Sequence, residues 1–178
     1  MKFDDKIGSI QQILTATNVG ILRRQAIIKE LNLKKGQTVI DIGCGGGHLV
    51  EEISMCIGSS GRAIGVDPSE FQIKTAKERC KHLPNVQFLC SNASDINIDK
   101  SSCDAVTFTQ TLEYIDDVDE ALFVAKKLQK PKSIFVNVST LWDFFGFHGP
   151  EKELNDMMHE IYRSQKPVSY THLRAHET

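Results

Sequence analysis

Apolar residues recur along the chain in two distinct rhythms. Over residues 9–32 they return at roughly helical spacing, with a break expected near residues 18–20. From residue 38 onward, short apolar runs alternate with longer amphipathic stretches, and Gly, Pro and Asp residues separate them. The pattern predicts strands at 38–42, 63–66, 86–90, 104–108 and 133–138, and helices at about 47–57, 69–80, 118–129 and 150–164.

This alternation predicts the fold class. Strands separated by helices form βαβ units, so we expect an α/β protein with a doubly wound, mostly parallel sheet flanked by helices. In such sheets, ligands bind beyond the carboxyl ends of the strands, near the point where the strand order reverses. Polar residues follow four of the predicted strands, at 41–47, 67, 91–95 and 109–114.

Composition excludes several classes of protein. The 178 residues carry 21 basic and 23 acidic side chains, a net charge of −2, so a nucleic-acid substrate is not supported. The N-terminus lacks the apolar core of a secretion signal, and no apolar run is long enough to cross a bilayer. The five cysteines form no C-x-x-C pair. We therefore expect buried free thiols in a cytoplasmic protein with no metal site, at positions Cys44, Cys56, Cys80, Cys90 and Cys103.

One segment concentrates the candidate chemistry. Residues 39–48 read as a buried strand, a glycine-rich turn and a helix N-terminus, where bare backbone can approach a ligand. A dinucleotide fingerprint would require a third glycine where His48 stands. Asp41 would face a pyrophosphate unfavourably, but it suits an amine-bearing ligand. Asp67 follows the next strand at the distance expected for an acceptor of ribose hydroxyls. A nucleoside that carries an amino acid satisfies all of these features.

These residues resemble the class I S-adenosylmethionine-dependent methyltransferases, over roughly residues 34–138. Val39 to Gly47 is similar to the first motif of the family, and Gly65 to Ser69 is similar to the second. The resemblance implies S-adenosylmethionine as the cofactor, with the glycine loop along its methionine part, the first acid near its amine and the second on its ribose. The residues implied by these two motifs are Asp41, Gly43, Cys44, Gly45, Gly46, Gly47, Asp67 and Pro68.

Two further motifs resemble the family. Residues 88–96 are similar to the third motif, which implies that Asn92 and Ala93 contact adenine. Asn-Ala at this place also occurs in the quinone C-methyltransferase branch. Residues 104–114 resemble the fourth motif, which places Thr109 and Gln110 beside the transferring methyl. Residues 129–131 resemble the Leu-x-Pro turn of the family, without its two glycines.

The implied reaction is an in-line transfer of methyl from a sulfonium to a small-molecule acceptor, which we expect to be quinone-like, aromatic or lipid-derived. Candidate bases or acceptor contacts are His148, Tyr114, Asp143 and Glu113, of which His148 and Tyr114 are retained as weak catalytic candidates. The aromatic segment 141–148 either lines an acceptor pocket or covers the end of the sheet. Arg23-Arg24 is interpreted as a solvated charged face rather than as part of a lid over the cofactor.

Two other functions stay open at the level of sequence. One is an NAD-type oxidoreductase of similar topology, which the missing glycine at position 48 disfavours. The other is a non-catalytic interaction module that keeps the methyltransferase fold. The sequence does not indicate an oligomeric state.

The chain divides into three expected segments. Residues 1–33 form a helical cap, and residues 34–167 form the cofactor-binding domain. Residues 168–178 match one reading frame of a transposase sequencing adapter, so we interpret them as a non-native tail. The native chain is then expected to continue, and the two last strands of the family's sheet are missing.

Overall fold

The computed structural model describes residues 5–139 together with residues 152–154, 156–157 and 160. The chain forms two compact units, Met1–Val138 and Ser139–Thr178. In the second unit, the described residues from 152 onward are helical. The rest of the expected helix at 150–164 lies outside the described residues, as do the aromatic segment 141–148 and its candidates Asp143 and His148.

The elements of the first unit follow the sequence pattern closely, because their ends carry local signals. The Thr17, Ser69 and Asp117 side chains each cap a helix by accepting a hydrogen bond from a backbone N–H of its first turn. The elements are α1 (Asp5–Ala16), α2 (Asn18–Leu31), β1 (Thr38–Ile42), α3 (His48–Ile57), β2 (Arg62–Asp67), α4 (Glu70–Arg79), β3 (Val86–Cys90), β4 (Cys103–Thr109), a 3₁₀ turn (Leu112–Tyr114), α5 (Val118–Leu128) and β5 (Gln129–Val138).

Within the described residues, the strands form one parallel sheet in the order β3-β2-β1-β4-β5. The chain first moves outward from β1 through β2 to β3, and then returns to place β4 on the other side of β1. The strand order therefore reverses between β1 and β4, and this is the point where open α/β sheets bind ligands. The predicted doubly wound α/β fold is confirmed.

Helices cover both faces of the sheet. Ile40, Ile42 and Phe108 pack with residues of α5 on one face. Val39 and Ala105 pack with residues of α2 and α3 on the other. Because side chains alternate along a strand, Asp41 and Thr107 belong to this second face, among apolar neighbours. A carboxyl group in this position has lost most of its contact with water.

The start of β5 corrects one sequence prediction. Residues 129–131 were expected to form a turn, but they belong to β5, and the irregularity lies inside the β4–β5 pairing. Cys103 pairs with Gln129, whereas Ala105 pairs with Ile134, and Lys132 adopts a φ of 63°. An ion pair holds residues 129–131 beside β4, because the Lys130 ammonium lies 2.8 Å from the Asp104 carboxylate. That carboxylate also accepts a hydrogen bond from Thr38 N at 2.8 Å, so Asp104 is a structural residue near the start of β4.

The edge formed by β5 leads to a first prediction. Among the described residues, β5 pairs with β4 alone, and its Phe135 side chain is 41% exposed. An apolar strand with an unpaired edge recruits other chains. We expect the isolated 178-residue chain to aggregate or to unfold readily, as light scattering and thermal melting would show. A monomer with a cooperative melt at high temperature would contradict this expectation.

Candidate functional site

The glycine-rich turn is fixed to β2 by backbone hydrogen bonds. Gly43 N and Cys44 N both donate to Val66 O, at 2.7 and 2.9 Å. Gly45 has a φ of 50°, in the left-handed region that favours glycine. A Cβ atom built on Gly45 would meet no heavy atom within 4 Å, so the backbone at this residue borders open space. The turn thus exposes bare backbone at the carboxyl edge of the sheet, as predicted.

Asp67 links this turn to the start of α4. Its Oδ2 accepts a hydrogen bond from Gly45 N at 2.9 Å, and its Oδ1 accepts one from Ser69 N at 2.9 Å. The side chain is 9% exposed, and burial raises the pKa of its carboxyl group, although the two hydrogen bonds oppose that rise. Each carboxylate oxygen can accept a second hydrogen bond. Asp67 therefore shapes the turn and still has capacity for the hydroxyls of a ligand.

Asp41 is the most unusual group in this region. It is 2% exposed, and in the part of the chain that the structure describes its Oδ1 has no hydrogen-bond partner. Burial, together with the nearby charge of Asp67, raises the pKa of its carboxyl group from 3.8 to about 7. A buried polar atom without a partner costs about 1–3 kcal/mol, so its presence calls for an explanation.

Two hydroxyl groups in β4 share this condition. Thr107 is in register with Asp41 on the neighbouring strand. Its Oγ1 and that of Thr109 are buried without a hydrogen-bond partner among the described residues. Because residues two apart in a strand point to the same face, these two hydroxyls lie on the face of the sheet that carries Asp41. Several buried polar atoms therefore lie where the strand order reverses, between β1 and β4, without a hydrogen-bond partner in the described chain.

His48 begins α3 in the place where a dinucleotide-binding loop has its third glycine. It is half-buried, and its Nε2 has no partner within the described ranges. Burial, followed by the charges of Arg79 and Arg24, lowers the pKa of its imidazole from 6.5 to about 4. His48 is therefore neutral at physiological pH and adds no fixed positive charge to the site.

Three side chains beside the glycine turn were missed by the sequence analysis. A Cβ on Gly43 would collide with the Thr111 side chain, and a Cβ on Gly46 would collide with that of Gln12. Arg79 Nε donates to Gly46 O at 2.8 Å. Thr111 lies 68 residues from Gly43, and Arg79 lies 33 residues from Gly46. No local pattern indicates contacts across such separations, and Thr111 was included only as part of a longer motif.

The residues expected to contact adenine lie at the end of β3. Asn92 is exposed, its Nδ2 lies 3.4 Å from Asp95 Oδ2, and its carbonyl accepts a hydrogen bond from Asp95 N at 3.1 Å. Ala93 is half-buried, and Pro68 is exposed. Asn92 thus serves as a turn residue in this structure. Its side chain lies at the same edge of the sheet as the glycine turn, and its adenine role stays a prediction.

The fourth motif ends β4 and begins the 3₁₀ turn. Gln110 has a φ of 50°, and its backbone N–H donates to Val138 O at 2.6 Å. Its side-chain Oε1 accepts a hydrogen bond from Arg23 Nη1 at 2.5 Å. Tyr114 is half-buried, and burial and the charge of Glu113 raise the pKa of its phenol. Tyr114 is therefore protonated at neutral pH and able to donate a hydrogen bond.

The interpretation of Arg23-Arg24 as a solvated face is wrong for Arg24. This residue is 8% exposed, and its guanidinium donates to the Glu52 carboxylate and to Thr15 O, both at 2.6 Å. The carbonyls of the last helical turn lack partners within their helix, and Arg24 satisfies one of them at the end of α1. Arg23 is half-buried and contacts Gln110, as described above. The N-terminal helices are thus fastened to the edge of the site.

The five cysteines are free, and Cys44, Cys80 and Cys103 are buried as expected. Burial was wrongly expected for Cys56, which is half-buried, and for Cys90, which is exposed at the end of β3. Burial raises the pKa of the Cys44 thiol well above 9, and the charges of Asp41 and Asp67 add to this effect. A thiol in this state is a poor nucleophile. Within residues 5–139 and the few described later ones, no group of three or more His, Cys, Asp or Glu side chains is arranged to hold a metal ion. The same residues include no helix that is long and apolar enough to cross a membrane.

Three features lie at one edge of the sheet: the open backbone at Gly45, the Asp41 oxygen that has no partner in the described chain, and the remaining lone pairs of Asp67. Bare backbone accepts the close approach of a ligand chain, a buried carboxylate suits an ammonium group, and Asp67 suits ribose hydroxyls. The residues present therefore fit an aminoacyl nucleoside such as S-adenosylmethionine. They do not fit a pyrophosphate, which would lie against the Asp41 carboxyl.

Comparison with known proteins supports this reading. The profile of a family described as methyltransferase domain matches residues 33–172. Demethylmenaquinone methyltransferase of Staphylococcus carnosus is 32% identical over 117 residues, which cover 66% of this chain and 48% of that protein. An uncharacterized 37.1 kDa protein in transposon TN4556 of Streptomyces fradiae is 24% identical over 151 residues, which cover 85% and 44% of the two chains. This chain spans about half the length of these relatives.

A solved methyltransferase structure has a similar fold. The crystal structure of a SAM dependent methyltransferase from Aquifex aeolicus matches with a TM-score of 0.72 and 25% identity, over 85% of this chain and 80% of that one. The match of family, fold and glycine turn supports S-adenosylmethionine as the cofactor. The chain belongs to the methyltransferase domain family of class I S-adenosylmethionine-dependent methyltransferases.

Proposed function

We propose that this chain is the cofactor-binding part of an enzyme that transfers a methyl group to a small lipophilic acceptor of quinone-like or other aromatic character. The proposed binding of S-adenosylmethionine rests on the buried Asp41 carboxyl, whose Oδ1 has no partner among the described residues. The proposed class of methyl acceptor is supported by the 32% identity to a demethylmenaquinone methyltransferase. Membership of the methyltransferase family sets aside the alternative of an NAD-type oxidoreductase.

Each element of the site would hold a different part of the cofactor. Asp41 would pair with its ammonium group, and Asp67 would accept hydrogen bonds from its ribose. Asn92 and Ala93 would border the adenine. The remaining proposed contacts come from the glycine turn, the start of α4 and the end of β4, namely Gly43, Cys44, Gly45, Gly46, Gly47, Pro68, Thr109 and Gln110.

Bound S-adenosylmethionine supplies a methyl group already activated by its sulfonium. The protein then contributes mainly alignment, and favourable proximity can lower a barrier by roughly 7–11 kcal/mol. Tyr114, protonated at neutral pH, would act as a hydrogen-bond donor to an acceptor oxygen rather than as a base. His148 lies outside the described residues, and its catalytic role stays a proposal.

The roles of the three segments of the chain are also proposals. We propose that residues 1–33 cap the site, that residues 34–167 form the domain, and that residues 168–178 are non-native. The matched family range, 33–172, extends into that last segment. Sequencing the transcript across the codon for Pro167 tests the proposal directly. A native reading frame that retains residues 168–178 would contradict it.

Transfer of labelled methyl tests the acceptor class. The chain would be incubated with S-adenosylmethionine labelled with tritium in its methyl group and with a cell extract, which is then partitioned between organic solvent and water. We expect label in the organic phase, and about 10- to 100-fold less of it with the Asp41→Asn variant at a cofactor concentration below saturation. Label in a water-soluble product other than S-adenosylmethionine would contradict a lipophilic acceptor. Absence of transfer by a longer protein that contains this chain and binds the cofactor would favour the non-catalytic alternative.

A further inference from the structure

A buried threonine lies beside Asp41 in the centre of the sheet. Thr107 is 0% exposed, and its Oγ1 has no hydrogen-bond partner in the part of the chain that the structure describes. It is in register with Asp41 on β1 and with Val136 on β5. Burying a hydroxyl without a partner costs free energy, whereas a valine of nearly the same shape would have no polar atom to satisfy. The Thr107 hydroxyl therefore requires a partner in the folded protein.

The neighbours of Thr107 show where that partner would lie. Because side chains alternate along a strand, Ala105 and Thr109 share its face of β4. Ala105 and Val136 belong to the apolar cluster on this face, so their side chains offer no hydrogen bond. The unpartnered polar atoms that the structure describes on this face of β1 and β4 are Asp41 Oδ1, Thr107 Oγ1 and Thr109 Oγ1. The Thr107 hydroxyl thus has one unpartnered oxygen beside it and another further along its own strand.

The spacing of the strands suits a water molecule between Asp41 and Thr107. Their oxygens do not bond each other directly. Neighbouring strands lie about 4.8 Å apart, and a water that bonds two oxygens at about 2.8 Å each spans up to about 5.6 Å. Buried waters in globular proteins typically make about three hydrogen bonds to polar groups that are otherwise unpartnered. Asp41 and Thr107 provide two such groups, and Thr109 provides a third.

A water in this place would orient the Asp41 carboxyl and leave it able to bind a ligand. An ionised carboxylate accepts about four hydrogen bonds, so one from water does not exclude an ammonium group. A water that donates to the carboxyl also favours its charged form. Burial and the charge of Asp67 raise the pKa of Asp41 to about 7, and loss of the donor would raise it further. Thr107 can therefore influence the cofactor site without touching the ligand.

Substitution of Thr107 leaves every charged group around Asp41 in place. Asp67 acts on Asp41 through its charge, whereas Arg24 and Glu52 pair with each other. A difference in the titration of Asp41 between variants of Thr107 would therefore report the hydroxyl. The charged and titratable groups on the elements around this face include Cys44 in the glycine turn, Asp67 of β2, Arg23 and Arg24 of α2, His48, Glu51 and Glu52 of α3, Arg79 of α4, and Glu113 and Tyr114 in the 3₁₀ turn.

We propose that Thr107 is a positioning residue of the cofactor site, whose hydroxyl shares one internal water molecule with Asp41 Oδ1 and so orients the carboxylate toward the ammonium group of the cofactor. The identity of that cofactor rests on the proposed function. The water itself belongs to the ligand-free chain and does not depend on the cofactor.

Titration of the Asp41 carboxyl in the ligand-free chain tests this proposal. The chain would be labelled with carbon-13 in the side-chain carboxyl groups of aspartate, and the Asp41 signal assigned as the one missing from Asp41→Asn. Thr107→Val removes the hydroxyl and keeps the shape, whereas Thr107→Ser retains the hydroxyl. Thr107→Cys, with its weak donor, is a second variant without the hydroxyl. The matched control is Thr75→Val, because the Thr75 hydroxyl donates to Phe71 O within α4, at 2.9 Å.

We expect the titration midpoint of Asp41 to rise by at least about half a pH unit in Thr107→Val and Thr107→Cys, which is about a threefold change in the ionisation constant. Thr107→Ser and Thr75→Val should titrate as the wild type does. In calorimetry at pH 7, Thr107→Val should weaken the binding of S-adenosylhomocysteine by about threefold. The same substitution should have no further effect in the Asp41→Asn background.

An unchanged midpoint in Thr107→Val, or an equal shift in Thr75→Val or Thr107→Ser, would overturn the proposal. Additive losses of affinity in the double variant would show that Thr107 acts independently of Asp41, and would overturn its positioning role. A shifted midpoint in a chain that does not bind S-adenosylhomocysteine would instead refute the proposed function and leave the shared water in place.

Discussion

Replacing Asp41 by asparagine is expected to stabilise the ligand-free chain at pH 8 and to remove most of its affinity for S-adenosylhomocysteine. The Asp41 carboxyl is buried, its Oδ1 has no partner in the described chain, and its pKa is raised from 3.8 to about 7. At pH 8 the folded chain therefore contains a buried charge that the unfolded chain exposes to water. Removing the charge should raise the free energy of unfolding by about 1–3 kcal/mol.

The dependence of this effect on pH has a definite sign. Because the folded pKa of Asp41 lies above the unfolded value, its contribution to stability is fully present below about pH 4 and is lost as the pH rises through 7. Thermal melts of the wild type should thus show this loss between pH 4 and 7, and those of Asp41→Asn should not. His48, whose pKa falls from 6.5 to about 4 on folding, changes stability in the opposite sense over the same range in both proteins, so the difference between their melts reports Asp41.

Cofactor binding should respond in the opposite direction. The carboxylate would pair with the ammonium group of the ligand, so Asp41→Asn should weaken binding by about 10- to 100-fold in calorimetry at pH 8. In the wild type, affinity should fall by up to about tenfold for each pH unit below 7, because Asp41 must lose its proton to bind.

Asp104→Asn is the matched control. Burial opposes ionisation of this carboxyl group, but its hydrogen bonds from Lys130 and Thr38 hold its pKa below the usual value. This substitution should therefore destabilise the chain at pH 8 and leave the affinity for S-adenosylhomocysteine unchanged. Asp41→Asn with wild-type affinity would contradict the assigned role, as would an equal loss of affinity in both variants.

Substitution of Gly45 by alanine is expected to block the site without unfolding the chain. The added methyl would meet no atom of the protein within 4 Å, so it would project into the space proposed for the cofactor. The φ of 50° costs an alanine about 1–2 kcal/mol. We expect this modest loss of stability together with at least a tenfold loss of affinity for S-adenosylhomocysteine.

Gly36→Ala is the control that distinguishes the effect of backbone strain from blockage of the cofactor site. Gly36 also has a positive φ, of 84°, and the nearest atom to an added Cβ is Ser60 Oγ at 3.7 Å. It lies before β1, at the opposite end of the sheet from the glycine turn. Gly36→Ala should lose similar stability in thermal melts and retain full affinity. Equal affinity of the two alanine variants would show that Gly45 does not border the cofactor.

The sequence predicted those parts of the fold that depend on neighbouring residues. Apolar runs define the strands. Ser69 and Asp117 cap helices through contacts over three residues, which are local in the sequence. The strand tips that carry Asp41 and Asp67 could be predicted as well, because parallel strands deliver their carboxyl ends to one edge.

Contacts between distant parts of the chain could not be predicted in this way. Gln12, Arg79 and Thr111 reach the glycine turn only because α1, α4 and the 3₁₀ turn converge on it. The buried state of Arg24 depends on a free carbonyl at Thr15 and on Glu52, 28 residues away. The strand conformation of residues 129–131 follows from the Lys130–Asp104 pair, which joins residues 26 apart.

The central claim is that the turn after β1, with Asp41 and Asp67 beside it, binds S-adenosylmethionine. Calorimetric titration of freshly isolated monomer with S-adenosylhomocysteine at pH 8, and with NAD in parallel, tests this claim most directly. The account predicts saturable binding of S-adenosylhomocysteine at one site per chain and no saturable binding of NAD. Absence of saturable binding of S-adenosylhomocysteine, or equal binding of NAD, would contradict it.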